Sequence, residues 1–331
     1  MLKRSTVQLG KLCCLAACAA LAAAAAQAQS WKPDKNVEIV AGAGPGGPVD
    51  IVARTLQRAI QDRKLVEQTS SVVNKAGGGG AVGWNYLKQH TGDANYISTV
   101  ATSLITTPIL GNVAFNYTDF TPIAQLLSEY HLYAVRPDSA VKSGGDLLDR
   151  FKTDPATLAL GIAPAVGGVA HISFAVVAKA VGADVRKLKA VVFNTGPDSV
   201  TAVMGGHVDV VASIPSIMVP QMQAGKIRVL AIAAPQRQRG ALAEVPTWRE
   251  MGIDAVVENW IAVIGPKGMQ PAQVAFWEKA IATAVQSEEW KAMLEKSLAA
   301  GTYRNSADTA QYFKTQNEEF RRILAEMGLV K

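Results

Sequence analysis

The stretch VEIVAGAGPGGPVDIVARTLQRAI, residues 37–60, changes its periodicity twice, and that change decides how the whole chain is read. Val37 to Ala41 is a short apolar run with β-branched residues, the composition of a buried strand. Gly42 to Pro48 breaks it, and then Val49, Val52, Ala53, Leu56 and Ile60 fall on one helical face. Strand, glycine turn and helix in succession form the unit from which parallel α/β sheets are built.

The unit recurs along the chain. Ser71 to Asn74 is a second strand, Lys75 to Gly80 a second glycine loop, Val82 to Gln89 a second helix, and Ile97 to Ala101 a third strand. Leu132 to Val135, Thr157 to Gly161, Ala190 to Phe193, Val208 to Ala212 and Val229 to Ala234 continue as strands with helices between several of them. From Val274 the pattern turns to helices, over Val274 to Ser287, Trp290 to Leu298 and Ala307 to Gly328, with Gly301 and Gly328 near helix ends. Two apolar stretches that run into proline, Leu132 to Pro137 and Trp260 to Pro266, are expected to pair where the chain crosses between two lobes.

The first residues carry an export pattern: Lys3, Arg4 and Lys11, an apolar run from Leu12 to Ala26, and the A-x-A site Ala26-Gln27-Ala28. Cleavage after Ala28 is expected, so residues 1–28 are a signal peptide and the mature chain acts in the periplasm. A lipoprotein box ending at Cys18 is the second reading. All three cysteines (Cys13, Cys14, Cys18) lie in that segment, which leaves the mature chain no disulfide, thiol nucleophile or cysteine metal ligand. Loss of the three basic residues lowers the formal charge from +6 to +3, and no basic run with interleaved aromatics occurs, so nucleic acid is not an expected partner.

Gly42 to Gly47 matches G-x-G-x-x-G, the pattern of a dinucleotide site. Pro45 removes an N–H where a pyrophosphate needs donors. Asp62, the acid about 20 residues on, falls at the far end of a helix rather than after a second strand. The same glycines and helix start suit a simpler anion, because they gather backbone N–H groups at the positive end of a helix dipole. Lys75 to Gly83 supplies a second such loop. Asp50 is either a dipole-complementing residue or a site residue.

Catalytic constellations do not assemble. No G-x-S-x-G or H-E-x-x-H motif occurs, and His90, His131, His171 and His207 are scattered without metal spacing. No catalytic residue, metal site or cofactor is assigned, and the chain is read as a binding protein and not an enzyme.

GAGPGGPVDIVAR (42–54), NKAGGGGAVG (74–83), NYTDFTPI (116–123), FNTGPDSVTAVMGGHVD (193–209), AGKIRVLAIAA (224–234) and VPTWREMG (245–252) together resemble the tripartite tricarboxylate transporter receptors, the Bug family of periplasmic solute-binding proteins. The resemblance implies a two-lobed, type II-like Venus flytrap, with crossing hinge strands and C-terminal helices. Lobe 1 would be residues 29–131 plus 260–331, and lobe 2 residues 132–259. It implies that a carboxylate is held by Gly44, Gly46, Gly47, Pro48, Val49 and Asp50 together with Gly78, Gly79, Gly80, Ala81 and Val82. The opposing lobe would add Gly167, Gly168 and His171, and then Asn194, Thr195, Asp198 and Ser199. Gly46, Gly47, Gly79 and Gly80 are expected to meet the anion, with Asn194, Thr195, Asp198 and Ser199 as specificity contacts.

Val49 stands where threonine is common in that family, Ala76 where proline is common, and Phe193-Asn194-Thr195 where tyrosine, a basic residue and glycine are common. The solute therefore stays open among di- or tricarboxylates, amino acids and related acids. Integral membrane permease subunits are the implied partners of a chain expected to act as a monomer. A solute sensor for a signalling partner and a periplasmic enzyme acting on an organic acid are the alternatives.

Overall fold

The computed structural model describes residues 31–330. The export signal, its cleavage after Ala28 and the lipoprotein box at Cys18 lie outside the described residues.

The chain first lays down β1 (Val37–Ala41), α1 (Pro48–Asp62), β2 (Ser70–Asn74), α2 (Ala81–Lys88), β3 (Tyr96–Ala101), α3 (Ser103–Ile109) and β4 (Phe120–Tyr130). It continues with β5 (Leu132–Val135), α4 (Gly144–Thr153), β6 (Ala159–Ile162), α5 (Val169–Ala180), β7 (Lys189–Val192) and α6 (Gly196–Met204). Then follow β8 (Val210–Ser213), α7 (Pro215–Gln223) and β9 (Arg228–Ile232). The last elements are β10 (Glu258–Pro266), α8 (Pro271–Ala284), α9 (Glu288–Ser297), β11 (Ala300–Arg304) and α10 (Ser306–Glu326).

Two sheets result. The first has six strands in the order β11-β4-β10-β3-β1-β2, and the second five in the order β7-β6-β8-β5-β9. In the first, β1 pairs in parallel with β2 and β3, and in the second β6 pairs in parallel with β7 and β8. Each sheet thus contains a parallel trio with its earliest strand in the middle. The apolar face of α1 (Val52, Ala53, Leu56, Ala59, Ile60) is buried with Val37, Ile39, Ile97 and Trp277. Pro48 at its first position costs no hydrogen bond, because that N–H would have no partner inside the helix anyway.

Three expectations are corrected. The strand Phe120–Tyr130 was not anticipated, and it pairs with both β10 and β11. Gly301 lies within β11 and not at a helix end. The stretch Trp260 to Pro266 pairs with β4 and β3 in the first sheet, whereas Leu132 to Val135 pairs with β8 and β9 in the second, so the two are not partners. The chain passes between sheets at His131, the single residue separating β4 from β5. It returns just before β10, where the Val257 N–H donates to the Ala233 carbonyl at 3.1 Å. Several strand ends also shift by one or two residues; Thr157, for instance, sits in a 3-10 turn before β6.

The long C-terminal helix ties both parts together. Phe313 stacks on Trp260 of β10 with ring centroids 4.7 Å apart, while Glu326 pairs with Lys179 of α5 at 2.6 Å.

Candidate functional site

Six loops leave the C-terminal ends of the two parallel trios, the place where open α/β sheets bind ligands. Those after β1, β2 and β3 lead into α1, the 3-10 turn Gly78–Gly80 with α2, and α3. Those after β6, β7 and β8 lead into α5, α6 and α7.

The loop after β1 is built around Asp50. Its carboxylate is 2 % exposed and accepts from the Gly46 N–H (2.8 Å), Arg54 Nε (3.0 Å) and Asn74 Nδ2 (2.7 Å). Burial pushes this acid up, but the bonds from Arg54, Gly46 and Asn74, with the Arg54 charge, outweigh it and hold it below the usual carboxylate range. Asn74 also donates to the Ala43 carbonyl at 3.0 Å, so the end of β2 fastens the loop after β1. Asp50 is a clamp for the backbone. The N–H groups of two of the expected glycines have partners within the loop: Gly46 donates to Asp50, and Gly47 reaches the Gly44 carbonyl at 3.3 Å. The N–H groups of Val49 and Asp50, at the second and third helix positions, have no intrahelical acceptor.

The loop after β2 is glycine-built out of necessity. Gly77, Gly78, Gly79 and Gly80 all have positive φ, from +55° to +133°. A Cβ on Gly80 would stand 2.5 Å from the Trp84 ring, and one on Gly83 2.9 Å from Gly42 Cα. The two loops thus touch backbone to backbone over the buried Trp84. Gly80 donates to the Gly77 carbonyl and Ala81 to the Gly78 carbonyl, while Gly78 and Gly79 have no acceptor for their N–H groups among the described residues. Gly79 faces Thr107 of α3, whose Oγ1 lies 3.2 Å from where a Cβ would be. Val82 is exposed in the first turn of α2. Lys75 holds its Nζ 4.4 Å over the Tyr86 ring.

On the second sheet, Gly167 approaches the first so closely that a Cβ would be 2.8 Å from Leu110, just after α3, and 3.2 Å from Leu324 of α10. Gly168 caps α5, and His171, 6 % exposed, accepts the Gly167 N–H on Nδ1 at 3.1 Å. Burial pushes His171 down to about 4, so it is neutral and carries its proton on Nε2. Asn194 and Asp198 are exposed. Thr195 is the N-cap of α6, with Oγ1 accepting the Asp198 N–H at 3.3 Å. Ser199 is fully buried and donates to the Gly196 carbonyl at 2.7 Å, a bond within its own helix.

The sequence reading missed a group at the junction of the sheets. Glu129 lies two residues beyond the end of β3: Ile261 pairs with both Ala101 and Leu127, and Asn259 with Glu129. Glu129 is 3 % exposed, and burial pushes it up to about 7, only partly opposed by Asn259. Asn259 Nδ2 donates to it at 3.3 Å; Thr102, at the start of α3, bonds to Asn259 Oδ1 at 3.3 Å and accepts the Trp260 N–H at 3.1 Å. The available signal was an acid inside the run from Leu126 to Val135, where Ser128 and His131 are the only other polar residues besides the tyrosines and a charge is seldom buried without a partner. A surface depression of about 590 Å³ along α4, lined by Lys142, Asp146, Asp149 and Arg150, lies at the other end of β6 and meets none of these loops.

The model of the tripartite tricarboxylate transporter family receptor matches residues 52–329. The "UPF0065 protein in gbd 5'region" of Cupriavidus necator is 26% identical over 333 residues, covering 100% of this chain and 99% of that protein. A TctC solute-binding protein from Polaromonas shares the fold at a TM-score of 0.76 and 23% identity, covering 89% of this chain and 99% of that one. Two structures from Rhodopseudomonas palustris do likewise. MatC, with bound malate, has a TM-score of 0.72 and 22% identity over 88% of this chain and 99% of its own. Rpa4515, with adipate, has 0.75 and 21% over 89% and 98%. The chain belongs to the tripartite tricarboxylate transporter receptor family and has its two-lobed, type II-like α/β fold.

Proposed function

We propose that this member of the receptor family is exported, captures one carboxylate of a small organic acid in the periplasm, and passes the acid to membrane permease subunits. The lobes, residues 29–131 with 260–331 and residues 132–259, close on the solute about His131 and Val257. The observation that carries the reading is the pair of loops after β1 and β2, pressed together at Gly42, Gly80 and Gly83, with the N–H groups of Val49, Asp50, Gly78 and Gly79 without an acceptor among the described residues. Such donors at a helix N-terminus suit a carboxylate. Solved structures of the same fold with bound malate and with adipate support the class.

Hydrogen bonds to a charged group are worth roughly 1.5–3 kcal/mol each. An amide would turn one acceptor oxygen into a donor facing donors. Calorimetry with a panel of short mono-, di- and aminocarboxylates and their amides tests the reading: each acid that binds should do so at least about 100-fold more tightly than its amide, about 2.7 kcal/mol. Equal binding of acid and amide rejects it. The export part is tested by the mature N-terminus, expected at Gln29; intact Met1 or a lipidated Cys18 in membrane fractions contradicts it.

A further inference from the structure

Asp50 and Glu129 are buried in and beside the first sheet, Glu258 keeps 13 % of its side chain exposed, and Asp50 and Glu258 are saturated. Asp50 has Gly46, Arg54 and Asn74. Glu258 accepts from Ser128, from Gln125 at 2.8 Å, from Tyr312 at 2.6 Å and from Arg304 at 3.2 Å, and these partners hold it below the usual range against its burial. Glu129, on the strand beside Glu258, has the single Asn259 contact at 3.3 Å and no cation among the described residues. A fold that surrounds Glu258 with four donors leaves its neighbour almost bare, although an uncompensated buried carboxylate costs stability.

The position matters as much as the vacancy in its hydrogen bonding. Glu129 sits two residues before His131, where the chain passes between the sheets, and its chain of contacts runs through Asn259 to Thr102 at the head of α3. Gly79 touches the same helix at Thr107. Meanwhile the loops after β1, β2, β3, β6 and β7 contain a single lysine or arginine, Lys75, which lies over Tyr86. A second carboxylate on the solute would find no further basic side chain in those loops.

We infer that Glu129 receives an ammonium group of the solute, so that the protein captures an aminocarboxylate in preference to a di- or tricarboxylate. The inference rests on the carboxylate-receptor reading above: the N–H groups of the first-sheet loops take the carboxylate, and Glu129 takes the amine at the junction. An ammonium supplies the donors and the charge that Glu129 lacks, as Arg304 does for Glu258.

The test uses matched compounds on the purified mature protein, stripped of endogenous solute: 4-aminobutanoate, 5-aminopentanoate and L-norvaline against butanoate, pentanoate, succinate and glutarate, by calorimetry at pH 7.5. At least one amino acid is expected to bind 10-fold or more tightly than its amine-free counterpart and its diacid. Glu129→Gln, which keeps shape and the Asn259 contact, should abolish that preference while the unfolding temperature does not fall. If a diacid binds more tightly than every amino acid, or Glu129→Gln keeps the preference, the inference is overturned and the carboxylate reading stands. If no compound binds, that reading fails and the inference falls with it.

Discussion

Gly46-Gly47-Pro48-Val49-Asp50 in the first sheet and Gly167-Gly168-Val169-Ala170-His171 in the second correspond position by position. Gly46 and Gly167 have φ of +81° and +75°, and the helix caps Gly47 and Gly168 are both extended. The cap N–H reaches back to Gly44 in one (3.3 Å) and to Ala165 in the other (3.1 Å), and each cap carbonyl accepts from the residue four ahead at 2.9 Å. In each, the third helix residue accepts the N–H four residues earlier, Asp50 from Gly46 and His171 from Gly167. Only the closing group differs. It is an ion in the first turn, compensated by Arg54 and Asn74, and a neutral ring in the second. The same backbone can therefore be closed by charge or without it, provided the surroundings match the choice.

The largest effect that would break this comparison is on stability. Asp50→Ala should cost about 3–5 kcal/mol, as for breaking a buried charged network, against about 1–3 kcal/mol for His171→Ala, which orphans one N–H. Urea unfolding at pH 7 measures both, and equal losses would mean the charge does not distinguish the turns.

Acid should separate them next. His171, at about 4 when folded and near 6.5 unfolded, binds its proton more readily in the unfolded chain. Its stability contribution is full above 6.5 and is lost as pH falls toward 4, by about 3 kcal/mol at most. The buried His131, also pushed down to about 4, adds to the same window. Asp50, held below its usual value near 3.8, keeps its contribution until pH falls past that point. His171→Gln should therefore flatten the decline between pH 6.5 and 4 and leave the steeper loss below it; an unchanged curve counts against a neutral second turn.

Glu129 runs the other way. With its pKa raised to about 7, it binds protons more readily when folded, so its presence lowers stability as pH rises from about 4.5 to 7. Glu129→Gln should then stabilise the unliganded protein by about 2–3 kcal/mol at pH 8, with little change at pH 4.5. A loss of stability at pH 8 would show that the carboxylate is a structural element like Asp50.

Binding gives a contrast of similar size. Gly79→Val should weaken carboxylate affinity about 100-fold, or 2.7 kcal/mol, because a β-branched residue resists positive φ and fills the anion's place. Asn194→Ala, losing at most a side-chain bond, should cost about 1 kcal/mol. Comparable losses would remove the division of labour between backbone and side chain. The smallest signal is shape: saturating solute should reduce the radius of gyration in small-angle scattering, as hinge closure requires.

The two turns also show how far the residues alone can be read. The glycine loops, α1, α2 and most strands of the parallel trios were legible, because periodicity and glycine placement are local. Phe120–Tyr130 was not, since its apolar residues lack clean alternation and its identity rests on pairing with Glu258–Pro266, more than a hundred residues away. Gly301 read as a helix end because only its partner strand makes it part of β11.

Within the site, the sequence by itself determined that two glycine turns precede helices and that few cations accompany them. Which N–H groups remain for a ligand was decided by the tertiary structure: Asn74, 24 residues from Asp50, reaches that acid, and Asp50 then consumes the Gly46 donor. The burial of Ser199 and the exposure of Asn194 are likewise matters of packing. Glu129 is the extreme case, since its residue type is visible in the chain, but its burial with one hydrogen-bond partner among the described residues, Asn259, exists only once β4, β10 and α3 have met. Hydrogen-bond satisfaction in a buried site is a property of groups brought together from distant positions, and no local pattern encodes it.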